Sequence, residues 1–177
     1  MIEPEFPRPV RIDTLGEGER SIAIEADAVE RGALAARFGL IALDRLAAET
    51  TVTRKGDIIM VTGRMEAQAT QACVATGAPL PVTLSEPFTL KFVPEHEEGA
   101  EPLAEIELDA DDCDTIDYGG GAIDLGEAVA ETLALALDPF PRAPDADQVL
   151  REAGVVPEDE AEIGPFAALK ALKDKMK

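Results

Sequence analysis

The stretch IMVTGRMEAQATQAC, Ile59 to Cys73, decides how this chain is read. Every second position, Ile59, Val61, Gly63, Met65, Ala67, Ala69 and Cys73, is small or apolar, with Gln71 the exception. Thr62, Arg64, Glu66, Gln68 and Thr70 between them are polar. A period of two over this length predicts a long strand with one buried face and one wet face, as antiparallel sheets allow. Gly63 inside it predicts a bulge. After the turn residues Thr76 to Pro79, a second run sets Leu80, Val82, Leu84, Phe88, Leu90 and Phe92 on one side. The two runs predict a hairpin whose apolar face needs a cover.

Working outward, Ile41 to Lys55 alternates loosely, and Lys55-Gly56-Asp57 predicts the turn into the long strand. Pro9 to Asp13 and Ser21 to Glu25 predict two short strands joined by LGEGE, with Ile22 and Ile24 forming an apolar face. A helix starts at Asp27, where Glu30 three residues on makes a capping box. Val29, Ala33, Ala36 and Phe38 lead it to a stop at Gly39. A second helix starts at Asp124, with Glu127 placed to complete its capping box. Leu125, Val129, Leu133 and Leu137 stack at i, i+4 spacing, and Pro139 and Pro141 end it. Helices lying between strands predict an α+β domain: a curved, largely antiparallel sheet or partial barrel covered by two or more helices.

The expected body spans residues 1–141, followed over 142–177 by a linker and a basic amphipathic C-terminal helix. Within that extension, Ala146 to Ala153 has a short helical pattern. Pro165 to Lys177 places Phe166, Leu169, Leu172 and Met176 at helical spacing among Lys170, Lys173, Lys175 and Lys177, with Asp174 its single acid. This segment reads first as a helix docked on the body, then as a detachable competitor for the acidic surface, and last as a tail touching RNA.

The chain has 177 residues, a hydrophobic fraction of 46% and a net charge of −20. It is long enough for a sizeable core, built from Ala, Leu, Val and Ile because there are six Phe, one Tyr and no Trp. The charge is concentrated: Phe92 to Pro141 holds fifteen Asp or Glu and no Lys or Arg. Such carboxylates must face water or a cationic partner, since burying one unpaired costs several kcal/mol. Anionic membranes and nucleic acid are disfavoured as large-area partners, and a basic protein is attracted. Cys73 and Cys113 have no cysteine nearby, and the N-terminus MIEPEFPRPV shows neither a basic start nor an apolar run. A reduced, cytoplasmic setting with free thiols is expected, and no apolar stretch approaches the roughly 20 residues that span a bilayer.

The order of these elements resembles a known family. A long alternating strand reaching Cys73, the run PVTLSEPFTLKF, an acidic loop, an Ile-Asp-Leu helix start, the string LALALDPFPRAP and a terminal GPFAALKALK are similar to the YceD family of bacterial and plastid proteins, from about Ile41 onward. The resemblance implies a non-enzymatic factor of large-subunit ribosome biogenesis, needed for accumulation of the large ribosomal RNA. It also implies a partner: a small, strongly basic large-subunit ribosomal protein, with RNA engaged indirectly and neither membrane nor small-molecule substrate involved. Many members carry a C-x-x-C or C-x-R-C element where this chain has Cys73-Val74-Ala75-Thr76, and further cysteines where it has Arg142 to Asp147. Two cysteines and one histidine cannot supply the four ligands of a thiolate zinc site, so no metal or other cofactor is expected.

The expected partner-binding residues are the acids Glu95, Glu97, Glu98, Glu101, Asp109, Asp111, Asp112, Asp114 and Asp117, acting by electrostatic capture of Lys and Arg. The rival reading is a divalent-metal-dependent hydrolase using the cluster from Asp109 to Asp117. An EF-hand loop begun at Asp109 fails at Cys113 and Asp114. Gly119-Gly120-Gly121 lacks the G-K-[ST] of a phosphate loop and reads as a turn. Cys73, on the apolar parity of its strand, reads as a buried structural thiol. Cys113, among aspartates, is disfavoured as a thiolate. His96 reads as an exposed loop residue, and neither Ser21 nor Ser85 sits in a nucleophile elbow.

Overall fold

The computed structural model describes residues 4–16, 18–95 and 114–155. Its strands and helices are β1 (Pro9–Arg11), β2 (Arg20–Glu25), α1 (Ala28–Arg37), β3 (Ala42–Lys55), β4 (Ile58–Ala72), β5 (Pro79–Pro94), β6 (Asp114–Tyr118), β7 (Ala122–Asp124), α2 (Leu125–Ala136) and α3 (Ala146–Glu152). The architecture is α+β. One mixed sheet has the order β2-β3-β4-β5-β6, and a small second sheet pairs β1 with β7. All neighbours in the large sheet are antiparallel except β5 and β6, which run parallel. The large sheet does not close into a barrel, since β2 and β6 remain at opposite edges.

The alternation of Ile59 to Cys73 is realised at five of its seven small or apolar positions; Gly63 is half-buried, and Cys73 lies just past β4 in a separate cluster with Ala143 and Ala146. Ile59, Val61, Met65, Ala67 and Ala69 are buried on one face of β4, together with Leu90 and Phe92 of β5 across the hairpin. Each fully buried Ile, Leu or Met contributes about 1.5–3 kcal/mol relative to exposure. The cover is α2, whose Leu125, Val129 and Leu133 are buried against that face, and α1, which packs on β3 through Leu34 and Ala35. The opposite face carries polar pairs such as Arg45 with Glu66.

Several local expectations are corrected. Gly63 does not mark a bulge: it sits in regular register opposite Thr50. A Cβ there would lie 2.5 Å from the Glu49 carbonyl oxygen and 3.0 Å from the Phe88 ring, so the glycine serves close approach. The bulge is in β3, between Leu43 and Arg45. It switches the buried parity from odd (Leu43) to even (Leu46, Ala48, Thr50, Val52), which is why Ile41 to Lys55 alternates only loosely. Residues 9–13 are strand only to Arg11, after which Ile12–Thr14 form a 3-10 turn, and β1 pairs with β7.

Both helix starts are capped by aspartate. At α1 the capping box is complete, with Asp27 accepting from the Val29 and Glu30 amides and Glu30 accepting from the Asp27 amide. At α2, Asp124 accepts from Gly126 and Glu127, but the return bond from Glu127 is not made. Its carboxylate is taken by Arg37 at 2.7 Å. Val29 does not join the buried face of α1 but is 82% exposed. Five residues at about 100° each put it roughly 140° from Leu34 around the helix.

The N-terminal segment is locked onto α2. Phe6 is fully buried, the Arg8 amide donates to Asp124 Oδ1 at 2.9 Å, and the Leu125 amide donates to the Arg8 carbonyl. Only a glycine at 126 permits this, because a Cβ there would fall 1.7 Å from the Phe6 carbonyl oxygen.

Candidate functional site

Of the nine acids singled out, Glu95, Asp114 and Asp117 are described; Glu97, Glu98, Glu101, Asp109, Asp111 and Asp112 lie outside the described residues, as do His96, Cys113 and the Pro165–Lys177 segment. Residues 114–118, read from sequence as part of a loop, form β6 instead. The signal for it was present: Ile116 and Tyr118 alternate with Thr115 and Asp117, and both pack against the core. A parallel neighbour needs a crossover of about a dozen residues or more, and nineteen separate β5 from β6.

Geometry brings the three described acids to one edge. Asp114 pairs in register with Leu90 and Asp117 with Val93, both on the outermost strand. Glu95 follows β5 directly, its amide donating to the Tyr118 carbonyl at 2.9 Å. All three are exposed, and among the described residues none of them forms a salt bridge. Tyr118 anchors the edge by donating its hydroxyl to the Asp57 carbonyl at 2.7 Å. The glycine run then carries the chain from β6 to β7, with Gly120 at φ 72°, a backbone conformation open to glycine.

Elsewhere several acids have cationic partners. Arg8 makes a two-pronged bond to Glu30, and Arg37 bridges Glu5 and Glu127. Arg11 pairs with Asp13, Arg45 with Glu66, and Arg142 with Asp147. The Arg8 guanidinium holds the Glu30 carboxyl below the usual glutamate range, and the α1 amides, first that of Glu30, do the same for Asp27. Within the acidic stretch itself, Asp124 caps α2, Glu127 binds Arg37, and Asp138 accepts the Phe140 amide at 2.9 Å.

Among the described residues no group of three His, Cys, Asp or Glu side chains is placed to hold a metal ion. Of the aspartate cluster offered for a divalent ion, only Asp114 and Asp117 are described. The two places where the family pattern sets cysteines do meet. Cys73, 2% exposed, packs with Ala143 and Ala146, and its sulfur accepts the Ala143 amide at 3.3 Å. Hydrogen bonds from Thr76 and then Ala143 pull this thiol down to about 7, while burial keeps it from reagents. The corner is thus an apolar plug with one satisfied thiol. No described helix is long and apolar enough to cross a membrane.

No curated protein and no solved structure gives a significant match to this chain. The model of the family described as large ribosomal RNA subunit accumulation protein YceD matches residues 61–173. That span begins inside β4 and takes in the hairpin, the acidic stretch, all three elements that follow β6, and most of the lysine-bearing C-terminus. With well over half of its length matched, this chain belongs to the YceD family.

Proposed function

We propose that this chain acts in accumulation of the large ribosomal RNA, as the family description states, and that it does so without catalysis, by holding a small basic large-subunit ribosomal protein. The observation that carries this reading is the segregation of charge: fifteen acids and no Lys or Arg over residues 92–141. The described part of that stretch presents Glu95, Asp114 and Asp117, exposed at a sheet edge and without a salt bridge among the described residues. Phosphate is repelled by such a surface, whereas clustered Lys and Arg are drawn to it, with the gain mainly in association rate and partner choice. Glu97, Glu98, Glu101, Asp109, Asp111 and Asp112 belong to the same proposed capture face. A cytoplasmic location accords with this role.

The test is a pull-down from lysate with the tagged full chain at low and moderate salt, with and without nuclease. Enrichment of one small basic large-subunit protein, surviving nuclease and weakening with salt, is the expected result. Recovery of ribosomal RNA or whole particles, all released by nuclease, would sink direct capture.

A further inference from the structure

The C-terminal end of α2 carries an apolar surface that the acidic face does not account for. Phe38 and Leu40, after α1, Gln71 and Val74, at and just past the end of β4, and Ala134 and Leu137 of the α2 end line a groove of about 310 Å³ together with Pro139 and Pro141. Of its lining, Val74 is 59% accessible, and three large side chains next in sequence to lining residues are exposed as well: Leu135 at 81%, Phe140 at 75% and Ile41 at 53%. Scattered single exposures are ordinary, whereas exposed apolar side chains gathered near an apolar-lined groove are the pattern that interaction sites show. The surface is acid-flanked, since Glu131 and Asp138 are exposed at either end of the Ala134-Leu135 step.

We propose that this groove is the docking site of the chain's own segment Pro165–Lys177, bound as an amphipathic helix. Position, length, pattern and charge all point to that occupant. The described chain leaves off at Val155, just past α3, and α3 is seated through Ala146 in the Cys73 corner. That corner adjoins the groove, because the Val74 amide donates to the Pro141 carbonyl at 2.9 Å and Val74 lines the groove itself. Residues 156–164 can span about 30 Å when extended, against about 10 Å for the length of α3.

Phe166, Leu169, Leu172 and Met176 at helical spacing supply the apolar stripe, and Lys170, Lys173, Lys175 and Lys177 meet the flanking Glu131 and Asp138. Thirteen residues make only a marginal helix in water, so this stripe needs a surface to lie on. A second copy of the chain is a poorer occupant, because it would bring two bodies of charge −20 together.

Amide hydrogen exchange on the full-length protein tests this, comparing wild type with Leu169→Glu/Leu172→Glu and, separately, with Val74→Glu in the groove lining. Docking predicts that residues 133–138 and 71–74 exchange at least about threefold faster in the tail variant, and that the tail amides exchange faster in Val74→Glu. Val74 is 59% accessible, so its variant keeps the fold, and an unchanged unfolding midpoint checks this. Should that variant fail to fold, the tail variant decides alone. Exchange unchanged in the tail variant overturns the proposal. Protection that grows with protein concentration, alongside dimer in sedimentation, overturns it in favour of a second copy. Both outcomes are independent of whether a basic client is captured.

Discussion

Residues 1–91 carry thirteen acids against ten Lys and Arg, whereas residues 92–141 carry fifteen against none. In the first region many charges are paired and serve architecture: Arg8 with Glu30 pins the N-terminus to α1, and Arg45 with Glu66 spans β3 and β4. In the second region only Asp124, Glu127 and Asp138 have structural duties among the described acids, and Glu95, Asp114 and Asp117 face solvent from the sheet edge. Surface pairs of the first kind are each worth about 0–1 kcal/mol. The described acids of the second kind, Glu95, Asp114 and Asp117, form no salt bridge among the described residues, and the proposed capture face is built on them.

The sharpest test of this division is that stability in the acidic region rests on shape rather than charge. Gly126→Val would thrust a side chain into the Phe6 carbonyl and is expected to cost at least about 3 kcal/mol, read as a lowered denaturant midpoint or an unfolded chain. Leu133→Ala, at a fully buried position of α2, should cost about 2–5 kcal/mol by the same measurement.

Acid titration probes the matched region. Glu30 is lowered from its ordinary 4.5, first by Arg8. A lowered carboxyl contributes stability that is complete above the unfolded value and disappears as pH falls through the folded one. Arg8→Ala should therefore cost about 1 kcal/mol at pH 7, and the gap between variant and wild type should narrow as pH drops below about 4.5. A gap that widened in acid would show that the pair is not what links α1 to the N-terminus.

The smallest effect on stability is expected where the charge is unmatched. Glu95→Gln/Asp114→Asn/Asp117→Asn should stay within about 0.5 kcal/mol of wild type in unfolding. The same triple variant should slow association with a small basic large-subunit protein several-fold at low salt, with the difference fading as ionic strength rises. A large loss of stability in that variant would erase the distinction between the two regions.

Much of the hairpin was legible because burial imposes a period of two, and both strands follow it with the exceptions of Gln71 and Glu86. The helix starts were equally legible from Asp27 and Asp124, since capping is a bond within a few residues. The loose run from Ile41 concealed a strand because one bulge reversed its parity. The strand at 114–118 was hidden among aspartates whose density suggested a loop, although its partner in β5 lies far back in the chain. Most of the proposed capture face was visible only as composition, and spacing among so many acids selects no single residue.

By itself, the sequence determined the α+β class, the alternating hairpin, both aspartate caps and the segregation of charge, because these depend on local periodicity, short-range hydrogen bonds and simple counting. Tertiary structure alone decided that β6 runs parallel to β5, that β1 seeks β7, that Arg37 takes Glu127 from its capping box, and that Gly63 and Gly126 are held small by carbonyls from Glu49 and Phe6. Each of these depends on which distant backbone arrives at a given surface. That is settled by how the single core closes, not by any pattern along the chain.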